Sequence, residues 1–129
     1  AMEYINSVKE GIEEVTVEQL QSLLSQNEIV LIDVREHEEY IQGHIAGSVN
    51  FPRGVLETKL CEHPSVAHHC DTALALEDLA KQNVYLICRT GGRSALAAHS
   101  LKKMGHPKAL SVAGGMAAWE SCKLPCVSA

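Results

Sequence analysis

The residues best suited to chemistry lie in the segment Cys88–Ser94, which has the sequence Cys-Arg-Thr-Gly-Gly-Arg-Ser. A free thiol has a pKa of about 8.5, so only a small fraction of it is the nucleophilic thiolate at neutral pH. Arg89 and Arg93 add positive charge on both sides of the segment, and the glycines between them allow backbone N–H groups to converge on one point. The segment therefore predicts a Cys88 thiolate that shares its surroundings with an anionic substrate.

This loop has to be positioned by a strand before it and a helix after it. The uninterrupted apolar run Val84–Ile87 predicts a buried strand, and Gly92–Met104 predicts a helix with Ala97 and Leu101 on its apolar stripe. In open α/β sheets, ligands bind beyond the carboxyl ends of the strands, and the first turn of a helix favours an anion. We therefore expect Cys88 to lie in the ligand crevice.

The rest of the chain alternates between strand and helix patterns. Further apolar runs predict strands at Ile29–Ile32 and Ala109–Val112, and a weaker pattern predicts one at Ser48–Asn50. Helices are predicted after a capping box formed by Thr16 and Gln19, and at Glu36–Gln42, Asp71–Gln82 and Met116–Ser121. Strands that alternate with helices, and that are apolar at successive positions, indicate an open α/β sandwich with a mostly parallel sheet.

Three stretches of the sequence carry a shared signature. They are the loop Cys88–Ser94, the amino-side residues Leu31–Arg35, Glu39, Tyr40 and Gly43–Pro52, and the carboxyl-side residues Ala113–Trp119, Leu124 and Pro125. In this order they resemble the active-site loop and the flanking signatures of the rhodanese family, from about Thr16 to Pro125. The resemblance implies a rhodanese-like open sandwich, with a five-stranded, mostly parallel sheet and helices on both faces. It also implies one domain that spans residues 1–129.

The resemblance further implies a two-step transfer of sulfane sulfur through a persulfide on Cys88. The donor is expected to be a small sulfur compound such as thiosulfate, and the acceptor a thiol or cyanide. Arg89 and Arg93 would bind the donor's charge, and N–H groups of the loop would stabilise the persulfide sulfur in the manner of an oxyanion hole. The residues expected to supply these N–H groups are Thr90, Gly91, Gly92, Arg93 and Ser94. No metal and no organic cofactor is implied.

Some charged residues outside the loop are candidates for substrate binding, and others are interpreted as structural. Arg53 is a further candidate for substrate binding, because it follows Pro52 in a connecting loop. Asp33 and Arg35 come directly after a buried strand, so we interpret them as structural. Glu39 is one candidate partner for Arg35.

Two other functions would use the same cysteine. One is a sulfur relay, in which the protein receives a persulfide from a partner protein and passes it on without turning over a small donor. The other is phosphatase or arsenate reductase chemistry, for which related loops have the spacing C-x5-R. Here only four residues separate Cys88 from Arg93. A shorter loop suits a sulfur atom better than a tetrahedral oxyanion.

The overall charge of the chain bears on its partners. Its 129 residues carry a formal net charge of −5, which argues against nucleic acid and anionic membranes as main partners. No apolar stretch approaches the roughly 20 residues of a membrane helix. The five cysteines have irregular spacing and suit a reducing compartment, so we expect a cytoplasmic protein.

The segment between Leu60 and Thr72 departs most from the resemblance. It gathers several metal-ligand side chains within ten residues, namely Cys61, His63, His68, His69 and Cys70. Their spacing fits none of the usual zinc patterns, so no metal site is predicted. The sequence leaves open whether Cys61 or Cys70 lies near Cys88 and resolves its persulfide.

Overall fold

A parallel five-stranded sheet forms the centre of the computed structural model, which describes residues 2–128. Its strands are β1 (Glu13–Val15), β2 (Val30–Asp33), β3 (Val49–Asn50), β4 (Val84–Ile87) and β5 (Ala109–Val112). Their spatial order is β1-β5-β4-β2-β3, and every neighbouring pair runs parallel. This confirms the predicted α/β architecture and brings the carboxyl ends of all the strands to one edge of the sheet.

Helices cover both faces of this sheet and alternate with its strands. They are α1 (Met2–Glu10), α2 (Val17–Gln26), α3 (His37–Gln42), α4 (Leu56–Lys59), α5 (Thr72–Ala80), α6 (Gly92–Lys103) and α7 (Gly115–Ser121). A short 3-10 helix, Leu60–Glu62, continues α4. Between residues 2 and 128, none of the helices combines the length and the hydropathy needed to cross a membrane.

The sheet separates two apolar cores. Successive side chains of a strand point to opposite faces of the sheet. Ile32 of β2 therefore packs into one core with Leu79 of α5 and Leu101 of α6, whereas the adjacent Leu31 packs into the other core with Trp119 of α7. Because both faces are covered, every residue of β2 and β4 is buried. This explains the uninterrupted apolar runs in the sequence.

Two helix starts follow the capping rules. At α2, the Thr16 hydroxyl accepts the N–H of Gln19 at 3.1 Å and the Gln19 side chain accepts the N–H of Thr16 at 2.8 Å, which confirms the predicted capping box. At α5, Asp71 is the N-cap and its carboxylate accepts the N–H of Ala73 at 2.9 Å. The helix therefore begins one residue later than predicted.

Four elements lie outside the segments predicted from the sequence, namely α1, β1, α4 and the 3-10 helix Leu60–Glu62. Helix α1 has one buried residue, Val8, and packs against α6. Strand β1 consists of Glu13, Glu14 and Val15, lies at the edge of the sheet and pairs with β5. Strand β1 has no run of apolar residues, so hydrophobic periodicity could not predict it, whereas α1 does carry Met2, Ile5 and Val8 at helical spacing.

The first turn of α7 donates two hydrogen bonds to the beginning of the loop that follows β4. The N–H of Met116 donates to the carbonyl of Cys88 at 2.8 Å, and the N–H of Ala117 donates to the carbonyl of Arg89 at 2.9 Å. Gly115 has a φ of +56°, and a Cβ at this position would collide with the carbonyl oxygen of Cys88. Glycine therefore permits the close approach on which both hydrogen bonds depend.

We expect Gly115→Ala to lower the free energy of unfolding by about 2–4 kcal/mol, because it combines backbone strain with overpacking. Urea unfolding measures this loss. The matched control is Gly54→Ala, since Gly54 has no atom within 4 Å of the added Cβ and no left-handed backbone. Equal midpoints for the two variants would show that the close approach of α7 is not constrained by Gly115.

Candidate active site

The thiol of Cys88 lies at the carboxyl end of β4 and is surrounded by donors from the loop Cys88–Ser94. Cys88 is only 1% exposed. Its Sγ accepts a hydrogen bond from the N–H of Gly91 at 3.1 Å and lies 3.5 Å from the hydroxyl oxygen of Ser94. Gly91 has a φ of +101°, a left-handed conformation that favours glycine and turns its N–H toward the sulfur. The arrangement stabilises negative charge on a sulfur atom that water barely reaches.

Each arginine of the loop is paired with a carboxylate from another helix. Arg93 makes two hydrogen bonds to Glu39 of α3, at 2.8 and 3.0 Å. Arg89 lies 3.6 Å from Glu120 of α7. The hydrogen bond from Arg93 is the main reason why the pKa of Glu39 is lowered to about 2, and the same bond raises the pKa of Arg93. The sequence predicted positive charge on both sides of the loop, but carboxylates partly neutralise the charges of Arg89 and Arg93.

A buried ion pair lies at the carboxyl end of β2. Arg35 and Asp33 are almost fully buried, and their closest side-chain atoms are 2.7 Å apart. The Arg35 guanidinium also donates to the carbonyl of Gly43 at 2.8 Å. A buried carboxylate requires such a partner, and Asp33 therefore pairs with the guanidinium for which Glu39 was one candidate partner. The candidate pairing of Arg35 with Glu39 was wrong, and Glu39 binds Arg93 instead.

A cavity of about 370 Å³ opens beside the loop. It is bordered by Arg35, Glu39, Gln42, Gly43, Arg89 and Glu120. Guanidinium and carboxylate groups therefore face a reactant that approaches Cys88 from this side. A larger cavity of about 620 Å³ lies near the amino ends of β2 and β4, at the opposite edge of the sheet, and does not include the loop.

The Arg53 side chain is bound by residues outside the loop Cys88–Ser94. Its guanidinium donates to Ser100 at 3.0 Å and to Glu57 at 3.3 Å. Ser100 lies eight residues after Gly92, which corresponds to about 12 Å along α6. Glu57 follows Arg53 by one helical turn and attracts its charge. The structure therefore does not bring Arg53 to the loop.

The residues between Leu60 and Thr72 do not form a single cluster. His69 Nε2 lies 3.0 Å from Asp78 Oδ2, and the rings of His68 and His69 are 4.2 Å apart. These three residues bring ligand-type atoms within 4.8 Å of one another. The other members of the segment, Cys61, His63 and Cys70, lie outside that group. Within residues 2–128, the hydrogen bonds of the active-site thiol go to its own loop and not to either of these cysteines.

Comparison with known proteins identifies the family. A model of the rhodanese-like domain matches residues 16–122. The chain belongs to the rhodanese-like family. The match includes the loop Cys88–Ser94 and the Glu39 and Glu120 carboxylates that pair with its arginines.

Three proteins show what this rhodanese-like chain is similar to. It is 33% identical over 110 residues to YrkF of Bacillus subtilis, which is named as a sulfur carrier protein; the match covers 84% of this chain and 51% of YrkF. It is 31% identical over 111 residues to the human thiosulfate:glutathione sulfurtransferase, and the match covers 84% of this chain and 94% of that protein. The structure of RPA3614 from Rhodopseudomonas palustris, described as a possible tyrosine phosphatase, has a TM-score of 0.77 at 27% identity, with 95% and 90% of the chains covered.

The chain spans about half the length of YrkF and about a quarter of two further relatives. It spans nearly the whole human sulfurtransferase. The curated relatives include sulfurtransferases and a sulfur carrier.

Three site residues were not assigned a role at the site from the sequence. Glu39 was considered only as a partner of Arg35, and Glu120 was not singled out. Ser111, which hydrogen-bonds to Ser94, was hidden within a predicted strand. The one available signal was its polarity, because Ser111 is the only polar residue of β5.

We expect Glu39→Gln to lower the free energy of unfolding by about 0.5–1 kcal/mol at pH 7, since both partners are more than a third exposed and water screens their attraction. Folding lowers the pKa of Glu39 from 4.5 to about 2. The contribution of the ion pair is therefore complete above pH 4.5 and is lost as the pH falls toward 2.

Urea unfolding of the wild type and of Glu39→Gln at pH 7, 4 and 2 tests this dependence. Glu77→Gln controls for the loss of an exposed carboxylate that makes no ion pair within residues 2–128. A difference between wild type and Glu39→Gln that stayed constant over this range would disprove the assigned pairing.

Proposed function

We propose that this rhodanese-like protein transfers sulfane sulfur through a persulfide on Cys88. The observation that carries the proposal is a buried sulfur that accepts the Gly91 N–H and lies 3.5 Å from the Ser94 hydroxyl oxygen, in a loop whose Arg89 borders a cavity. Donors arranged in advance stabilise a charge that develops in a site with little water. A sulfur atom at this position can therefore alternate between thiolate and persulfide.

The reaction balances without an external oxidant or reductant. In the first step, the Cys88 thiolate attacks the sulfane sulfur of the donor, a sulfur–sulfur bond forms, and the donor's remaining part leaves with the electron pair. With thiosulfate, the leaving group is sulfite. In the second step, a thiolate or cyanide attacks the outer sulfur, the persulfide bond breaks, and the Cys88 thiolate is regenerated. Neither step requires a metal or an organic cofactor.

The loop supplies the groups that these steps need. The outer sulfur of the persulfide is held by backbone N–H groups of Thr90, Gly91, Gly92, Arg93 and Ser94. Arg89 and Arg93 bind the negative charge of the donor, in competition with Glu120 and Glu39. The name and near-complete coverage of the human relative support a thiosulfate-like donor and a thiol acceptor.

A sulfur relay between proteins is the second candidate. The similarity to YrkF supports it, and so does the charge of the site. Because both loop arginines are already paired with carboxylates, a free dianion gains less on binding than it would from unpaired guanidinium groups. Negligible turnover of thiosulfate together with rapid exchange with a persulfide-bearing protein would favour this candidate.

Incubation with thiosulfate is expected to add the mass of one sulfur atom to the peptide that contains Cys88, and cyanide is expected to remove it. Mass spectrometry after digestion measures both changes. Cys88→Ser should abolish the gain, whereas Cys126→Ser should retain it because Cys126 is exposed at the far end of the chain. Full transfer activity in Cys88→Ser would rule out the proposal, and phosphatase activity that depended on Cys88 would point to oxyanion chemistry instead.

Glu120→Gln is expected to raise kcat/KM for thiosulfate by about two- to fivefold, the range expected from an exposed ion pair. The variant leaves the charge of Arg89 free for the donor. Steady-state kinetics at low salt measure the gain, which should shrink at 1 M salt because salt screens exposed charges. Glu57→Gln is the matched control, since Glu57 pairs with Arg53 away from the loop. A lower kcat/KM in Glu120→Gln would mean that Glu120 assists donor binding.

A further inference from the structure

A second buried serine lies behind the active-site loop. Ser111 of β5 has no exposed surface, and its Oγ is 2.8 Å from the Oγ of Ser94. Ser94 is also fully buried and lies 3.5 Å from the sulfur of Cys88. The three side chains form a continuous line of hydrogen-bonding groups that runs from the centre of the sheet to the reactive sulfur.

The direction of these hydrogen bonds follows from counting hydrogens. A hydroxyl has one hydrogen to donate, and buried polar groups need a partner. Within residues 2–128, the only hydrogen-bond partner of the Ser111 side chain is Ser94. If Ser94 donated to Ser111, the hydrogen of Ser111 would have no acceptor and the hydrogen of Ser94 would be turned away from Cys88.

The opposite direction satisfies both hydroxyl groups. Ser111 then donates to Ser94. The protonated Cys88 thiol donates to the Ser94 oxygen at 3.5 Å, and once the thiol has lost its proton the Ser94 hydroxyl can donate to the sulfur in return. A thiol sulfur is a weak acceptor, whereas a thiolate is an anion that accepts strongly. The hydrogen bond from Ser94 to the sulfur is therefore strongest when Cys88 is ionised. The ionised thiolate is also the form of Cys88 that attacks a sulfur donor.

We propose that Ser111 is a positioning residue for sulfur transfer, which orients the Ser94 hydroxyl so that its hydrogen points at the sulfur of Cys88. The inference rests on the proposed function only in taking Cys88 as the nucleophile. Ser111 itself touches neither the donor nor the reacting sulfur. Its effect passes through Ser94.

The test is the pH dependence of Cys88 alkylation by iodoacetamide, followed by mass spectrometry of the peptide that contains it. In Ser111→Ala, the midpoint of the rate–pH curve should move to higher pH by about half to one unit, since a hydrogen bond to a charged group is lost indirectly. The limiting rate at high pH should stay the same, because the thiolate remains accessible to the same degree. A purely structural role would change stability without moving the midpoint.

Two further variants sharpen the test. Ser48→Ala removes another buried hydroxyl, which donates to the carbonyl of Ile45 at 2.7 Å, and it should leave the midpoint at the wild-type pH. In a Ser94→Ala background, adding Ser111→Ala should cause no further shift, because the residue that transmits the effect is gone.

An unchanged midpoint in Ser111→Ala would overturn the inference. So would a shift of equal size with and without Ser94. Alkylation requires no sulfur donor, so these results are separate from the mass gain that tests sulfur transfer. If thiosulfate and persulfide donors left Cys88 unmodified while the midpoint still shifted, the proposed function would fail and the role of Ser111 would stand.

Discussion

The burial of the Cys88 thiol at the end of a strand is the constraint around which this molecule is organised. Cys88 is 1% exposed, so its stabilisation has to come from the protein and not from water. The sheet places the sulfur at the end of β4, and the loop directs the Gly91 N–H toward it. The N-terminus of α7 holds the first carbonyl groups of the loop, and Glu39 holds Arg93 near its end. Helices from both faces of the sheet, α6 and α7, thus hold the two ends of the loop around this sulfur.

The features that the sequence predicted correctly are local. β4 appears as a continuous apolar run because both faces of the sheet are covered, and the capping box at Thr16 is complete within four residues. The position of Cys88 at a strand end follows from the same reasoning. Edge strand β1 was missed because Glu13 and Glu14 have no apolar pattern, and pairing with β5 alone makes them a strand.

The electrostatics of the site could not be predicted because its partners are distant in the chain. Glu39 and Arg93 are separated by 54 residues and meet only after α3 and α6 have packed against the sheet. The side chain of Arg53 likewise donates hydrogen bonds to Glu57 and Ser100, and no sequence motif connects Arg53 with either residue. The result is a cavity with balanced charges in a chain of net charge −5. Long-range attraction of anions therefore contributes little, and recognition depends on contacts made inside the cavity.

The burial of Cys88 also sets its resistance to oxidation. Peroxides convert accessible thiolates to sulfinic and sulfonic acids that thiols cannot reduce, and susceptibility rises with exposure. Cys70, Cys122 and Cys126 are exposed, whereas the functional sulfur lies under its own loop. Dissolved oxidants therefore meet the peripheral thiols first. In the proposed sulfur transfer, the same burial shelters the sulfur in the interval between donor and acceptor.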